Sequence, residues 1–216
     1  MKIKIAGITL AVAGAVLILL ALLFAAYNEY VDYRAGTASE RILEEFRRML
    51  DGGQVSAPPQ AGILPDTEQS EADSTEWTPE YTAPTKITVQ GYDCIGYIEI
   101  PAIDLALPVL SDWSYEKLDV APCRHFGSVY TEDLVISGHN YKRHFSYLTR
   151  LKPGDSVSFF DAAGIAHLYT VKKVTYTDES NVDGVKNSGY PLVLYTCTFY
   201  GDLRNVVFCE YAAGEN

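Results

Sequence analysis

Residues 5–26 carry no charged side chain, and no other feature limits the architecture of this chain as strongly. At about 1.5 Å per residue, a helix over that run is about 33 Å long, enough to cross the hydrocarbon core of a bilayer. Residues 1–27 are therefore read as a transmembrane signal-anchor helix. A cleaved signal peptide competes, because Ala11-Val12-Ala13 has the form of a cleavage site. Cleavage there would leave only a short apolar region, while the apolar run continues well past it. Lys2 and Lys4 precede the run, whereas Glu29 and Asp32 come before the first cation after it, Arg34. The positive-inside rule then predicts a single-pass protein of the cell membrane, with a cytoplasmic N-terminus and the bulk of the chain extracellular.

Two segments separate this run from the rest. Over residues 28–50, Thr37 and Glu40 have capping-box spacing, and Ile42, Leu43, Phe46, Met49 and Leu50 recur at helical spacing. The pattern predicts a short juxtamembrane amphipathic helix ending at Gly52-Gly53, whose stripe either docks on the following domain or lies on the membrane. Residues 51–85 hold five prolines, seven acids and no Lys or Arg. Such a stretch buries too little apolar surface to offset its ordering entropy and reads as a disordered acidic, Pro-rich linker. As a flexible coil, these 35 residues would span roughly 30 Å, a tether letting the domain sample the envelope near the membrane.

From residue 86 to residue 216 the pattern changes to short apolar runs. Strands are expected over residues 95–100, 104–110, 134–137, 156–160, 168–177, 191–197 and 204–208, separated by breakers such as Pro153-Gly154-Asp155 and Ser188-Gly189. Residues 115–120 and 144–151 are the expected short helices. Many short strands with little room for helices predict an all-β barrel or sandwich. A net charge of −11 argues against nucleic acid as a partner. Four cysteines are too few for a disulfide scaffold, and if Cys197 works as a thiol, Cys94, Cys123 and Cys209 allow one bridge at most. Cys209 has opposite strand parity to Arg204, so core packing is expected of it.

The most informative stretch is the apolar run ending at Cys197, followed by the Gly201-Asp202 turn and a second run opening at Arg204. This reads as a β-hairpin of two buried strands in which Cys197 and Arg204 share one end of the sheet. An arginine beside a thiol makes an electropositive seat for sulfur, although a cysteine can equally be a small buried hydrophobe. Another short apolar run, over residues 134–138, ends in His139, again at the last residue before the chain leaves the sheet.

Gly138-His139-Asn140, Leu194-Tyr195-Thr196-Cys197 and Arg204, in this order and spacing, resemble the sortases, membrane-anchored cysteine transpeptidases of Gram-positive cell envelopes. The resemblance covers about the last 125 residues, and departs from the family pattern at Val193, where Thr is common. It implies a closed eight-stranded sortase-type β-barrel. It also implies Cys197 as nucleophile, His139 as general acid and base, and Arg204 as oxyanion donor. The implied partners are secreted proteins bearing an LPxTG-like sorting signal and a peptidoglycan precursor or other amine acceptor. The subclass stays open.

Three other histidines compete. His167 lies in a strand-like run and reads as structural, His144 could form the rim of the same cleft as His139, and His125 has no assigned role. The residues alone favour His139 over His144 only slightly, because both precede an apolar segment; the resemblance selects His139. Asp178, Glu179 and Asp183 precede the hairpin, where some sortases bind calcium, but three acids in a loop are more often solvated than ligating, and neither a metal nor another cofactor is expected. Two alternatives remain. An L,D-transpeptidase would place its cysteine in a Ser-x-Gly-Cys-x-Arg setting, unlike the seven-residue spacing from Cys197 to Arg204. The other is a non-catalytic, membrane-tethered β-domain.

Overall fold

The computed structural model describes residues 2–52, 85–198 and 201–213. The chain begins with one helix, α1 (Lys2–Asp51). Among the described residues nine strands follow: β1 (Ile87–Val89), β2 (Tyr92–Ile100), β3 (Leu105–Leu110), β4 (Cys123–Phe126), β5 (Leu134–Gly138), β6 (Ser156–Asp161), β7 (Ala166–Asp178), β8 (Leu192–Cys197) and β9 (Leu203–Tyr211). Two short helices lie between strands, α2 (Tyr115–Leu118) and α3 (Val182–Lys186), and a 3-10 turn covers Ser146–Arg150.

The sheet runs in the order β1-β2-β3-β4-β5-β8-β9-β7-β6, and β6 pairs back onto β2. Eight strands, β2 to β9, therefore close into a barrel, with β1 as a short antiparallel addition to β2. Closure leaves no free edge in the ring. The interior is filled by alternate residues, including Ile98, Ile100, Leu107, Val109, Leu134, Ile136, Leu192, Leu194 and Val207. Cys209 belongs to this interior, as its parity requires, and burial pushes its thiol up to about 12. All four cysteines are free thiols.

The segments expected as a membrane anchor and an amphipathic helix form a single uninterrupted helix. The expected capping box does not form, because Thr37 lies inside the helix and its Oγ1 donates to the Tyr33 carbonyl at 2.9 Å. Gly36 does not break the helix either; it lets the Arg143 side chain approach so closely that a Cβ would meet Arg143 Cδ at 2.1 Å. From residue 10 onward the helix is long and apolar enough to cross a membrane, and its apolar window is unburied by protein. Further along, the stripe made by Ala35, Ser39, Ile42, Leu43 and Phe46 is buried against the protein.

That stripe docks on the barrel. Ile42 and Phe46 join Val89, Cys94, Leu110, Leu118, Ala121 and Cys123 in one apolar cluster. Arg47 pairs with Glu99 and sits over the Tyr97 ring, and Gln90 donates to Glu45 at 2.9 Å. The acidic Pro-rich stretch lies almost wholly outside the described residues.

Candidate functional site

β5 and β8 run parallel with Gly138 opposite Thr196, while β8 and β9 run antiparallel with Cys197 opposite Arg204. His139, the residue after β5, therefore leaves the sheet level with Cys197. The three predicted site residues come to one end of three adjacent strands. Strand parity puts them on one face: Val135, Val193 and Val206, at even offsets from them, form an apolar cluster on the outside of the barrel with Val185 of α3. The site thus lies on the outer wall over this buried valine cluster, beside the segment that carries α3.

The hairpin turns through Gly201, at φ +81°, a conformation that side-chain-bearing residues rarely adopt. Cys197 is half-buried. Arg204 donates from Nη1 to the Gly201 carbonyl at 3.0 Å, and its Nη2 lies 3.5 Å from Glu179 Oε2. The turn carbonyl holds one guanidinium nitrogen and the Glu179 carboxylate lies by the other. Asp178 accepts from the backbone N–H of Ser180 at 2.9 Å and from its hydroxyl at 2.7 Å, so of the three acids in this loop one shapes a turn and another restrains Arg204.

His139 is positioned by its neighbours in sequence. A Cβ on Gly138 would come within 2.7 Å of the Phe145 ring, so only glycine allows that fully buried ring to pack against the strand end. The Phe145 N–H donates to the His139 carbonyl at 3.1 Å, closing the loop behind the imidazole. His139 Nε2 lies 3.2 Å from Asp119 Oδ1, and the Tyr141 ring centroid is 4.8 Å from that of His139. Burial lowers the His139 pKa and the Asp119 carboxylate opposes that shift.

His144 is not at the rim of the cleft. It is fully buried between the loop and α1, with Nε2 3.1 Å from Ser39 Oγ, and burial followed by the nearby His139 charge lowers its pKa to about 4. His167 is structural as read, with Nε2 3.1 Å from Asp161 Oδ2. His125 borders the site: its Nδ1 is 2.8 Å from the Tyr195 hydroxyl, two residues before Cys197, and its ring is 5.7 Å from that of Trp113. A groove of about 180 Å³ runs between Trp113, His125, Val185, Tyr195 and Arg204. Burial lowers the His125 pKa, and Lys186 adds to the effect. Sequence reasoning missed Asp119, because only the fold brings the end of α2 to the end of β5.

The sortase domain family profile matches residues 98–212, just over half of the chain, and the chain belongs to the sortase family, which is one of cysteine transpeptidases. No curated protein matches it. Among solved structures, sortase A from Corynebacterium diphtheriae is similar at 22% identity with a TM-score of 0.51, over 57% of this chain and 63% of that one. Sortase C1 from Streptococcus agalactiae is similar at 22% identity with a TM-score of 0.50, over 59% and 72%. Sortase A from Listeria monocytogenes is similar at 20% identity with a TM-score of 0.50, over 55% and 87%. At these identities the likeness is one of fold, and it bears out the closed eight-stranded barrel.

Proposed function

We propose that this sortase cleaves an LPxTG-like sorting signal of secreted proteins through a thioester on Cys197 and transfers the released acyl group to an amine of the cell envelope. What supports the reading is one observation: Cys197, His139 and Arg204 leave three neighbouring strands at the same level and on the same outer face.

In this reading the Cys197 thiolate attacks the carbonyl carbon before the scissile bond, and Arg204 donates to the oxygen as it gains negative charge. The carbon–nitrogen bond then breaks, and the departing amine takes a proton from the His139 imidazolium. An incoming amine attacks the thioester and yields a proton to His139 as sulfur leaves as thiolate, which restores the starting state. The nitrogen of His139 not held by Asp119 exchanges the proton. The aromatic side of the groove, Trp113 and Tyr195, receives the apolar part of the peptide. Anchoring by α1, with the N-terminus in the cytoplasm and the barrel outside, brings the site to proteins emerging from the membrane.

The test is to incubate the full chain in detergent micelles with a panel of Leu-Pro-x-Thr-Gly peptides and an excess of a simple amine. The expected product is the peptide cut between Thr and Gly and joined to the amine, absent with Cys197→Ala. Transfer that persists in Cys197→Ala, or no cleavage of any peptide in the panel, contradicts the proposal.

A further inference from the structure

We propose that Asp119 is a positioning residue for His139, and that Ser39 of α1 sets the geometry of this pair, which makes the docked helix a working part of the site. The proposal rests on the assignment of His139 made above.

Neither partner of the pair is held by a strand ladder. Asp119 closes the four-residue helix α2, and His139 opens the loop after β5. Both segments are tied to one residue of α1. Ser39, fully buried, donates its hydroxyl proton to the Val120 carbonyl at 2.6 Å, next to Asp119. Its oxygen then accepts from His144 Nε2 at 3.1 Å, on the loop that carries His139. A hydroxyl has one proton and two lone pairs, so this use of Ser39 joins the two segments through a single atom.

The same helix face holds the loop at further points. Glu29 pairs with Lys142 at 2.6 Å, the buried Asp32 accepts from the Arg143 backbone N–H at 3.3 Å, and Glu40 pairs with Arg143 at 3.3 Å. Fixed in this way, Asp119 Oδ1 faces His139 Nε2 at 3.2 Å and also accepts from the Tyr141 hydroxyl at 3.0 Å. The carboxylate holds one ring nitrogen, so the orientation and tautomer of the imidazole are set, and its charge favours the imidazolium form. The other groups around His139 are Tyr141 and His144 on its own loop, Asp32 and Arg34 of α1 beyond Tyr141, and Cys197 and Arg204 at the adjacent strand ends.

The experiment uses the full chain in micelles, with labelled histidine so that the His139 titration is read by NMR, and measures peptide turnover in parallel. Asp119→Asn keeps the shape and removes the charge; the His139 midpoint is expected to fall, and kcat to drop on the order of tenfold or more with little change in KM. Ser39→Ala is expected to move both readouts in the same direction while unfolding stays cooperative, and Ser39→Thr, which keeps the hydroxyl, to restore them. An unmoved His139 midpoint in Asp119→Asn, or wild-type titration and turnover in Ser39→Ala, overturns the proposal. The titration needs no substrate, so it decides this proposal even where the transpeptidase reading fails at the turnover step.

Discussion

Cys197 and Arg204 face each other as a cross-strand pair at the turn end of the β8–β9 hairpin, and Arg204 is braced there by the Gly201 carbonyl and Glu179. Such bracing suits a planar fork of donors better than a single ammonium group. Arg204→Lys keeps the charge and loses the fork, so turnover is expected to fall by on the order of a hundredfold with little change in KM. Steady-state kinetics of the two proteins checks this; near wild-type turnover in the Lys variant would leave Arg204 as only an electrostatic neighbour of the thiol.

Gly138 offers a test of how the imidazole is held. Gly138→Ala would press a methyl group against the Phe145 ring, 2.7 Å from its Cδ2. Relief requires the strand end or the loop to shift, and His139 moves with either. A loss of on the order of a hundredfold in kcat is expected, with a stability cost of about 1–3 kcal/mol from overpacking. Kinetics and thermal unfolding on the same sample separate the two effects, and an unaffected kcat would show that the loop tolerates displacement.

The docked stripe of α1 carries stability. Phe46 is fully buried in the cluster between helix and barrel and lies edge-on to Tyr97 at 6.1 Å. Phe46→Ala is expected to cost about 3–5 kcal/mol. A fragment starting at residue 86 should unfold at a lower temperature than one starting at residue 28. Equal unfolding temperatures would mean that the helix packs on the barrel without supporting it.

His144 predicts a pH dependence of stability. It is buried and neutral, with its pKa lowered to about 4 from the ordinary 6.5. The unfolded chain therefore binds more protons at this position between those two values. Its contribution is complete above about pH 6.5 and is lost as pH falls toward about 4, on the order of 2–3 kcal/mol. His144→Gln should flatten this part of the stability profile in denaturant titrations at several pH values, and an unchanged slope would assign the effect to other groups.

Much of the fold is legible in the residues because its strands are short apolar runs between breakers. The hairpin is marked by β-branched residues on either side of Gly201, and the parity of Cys209 against Arg204 follows from the twofold repeat of a strand. β4 escaped notice because Cys123, Arg124, His125 and Phe126 make no alternation, and its pairing is set by neighbours distant in sequence. The continuity of α1 through Gly36 was hidden for a similar reason: glycine and a Thr37/Glu40 spacing look like a break, and only Arg143, more than a hundred residues later, explains the glycine. Asp119 and Ser39 bear on the site solely through the fold, and neither has a local pattern that would mark it.

The most direct measurement is the mass of the intact protein after rapid quenching during turnover of a sorting-signal peptide, followed by mapping of the adduct. The expected result is an acyl adduct equal to the peptide minus its departing amine fragment, on Cys197 alone, labile to hydroxylamine and absent in Cys197→Ala. Burial pushes the thiols of Cys94, Cys123 and Cys209 up to about 12, so they should stay unmodified. An adduct on any of those three, or turnover without any acylated protein, would contradict the assignment of Cys197 as the nucleophile.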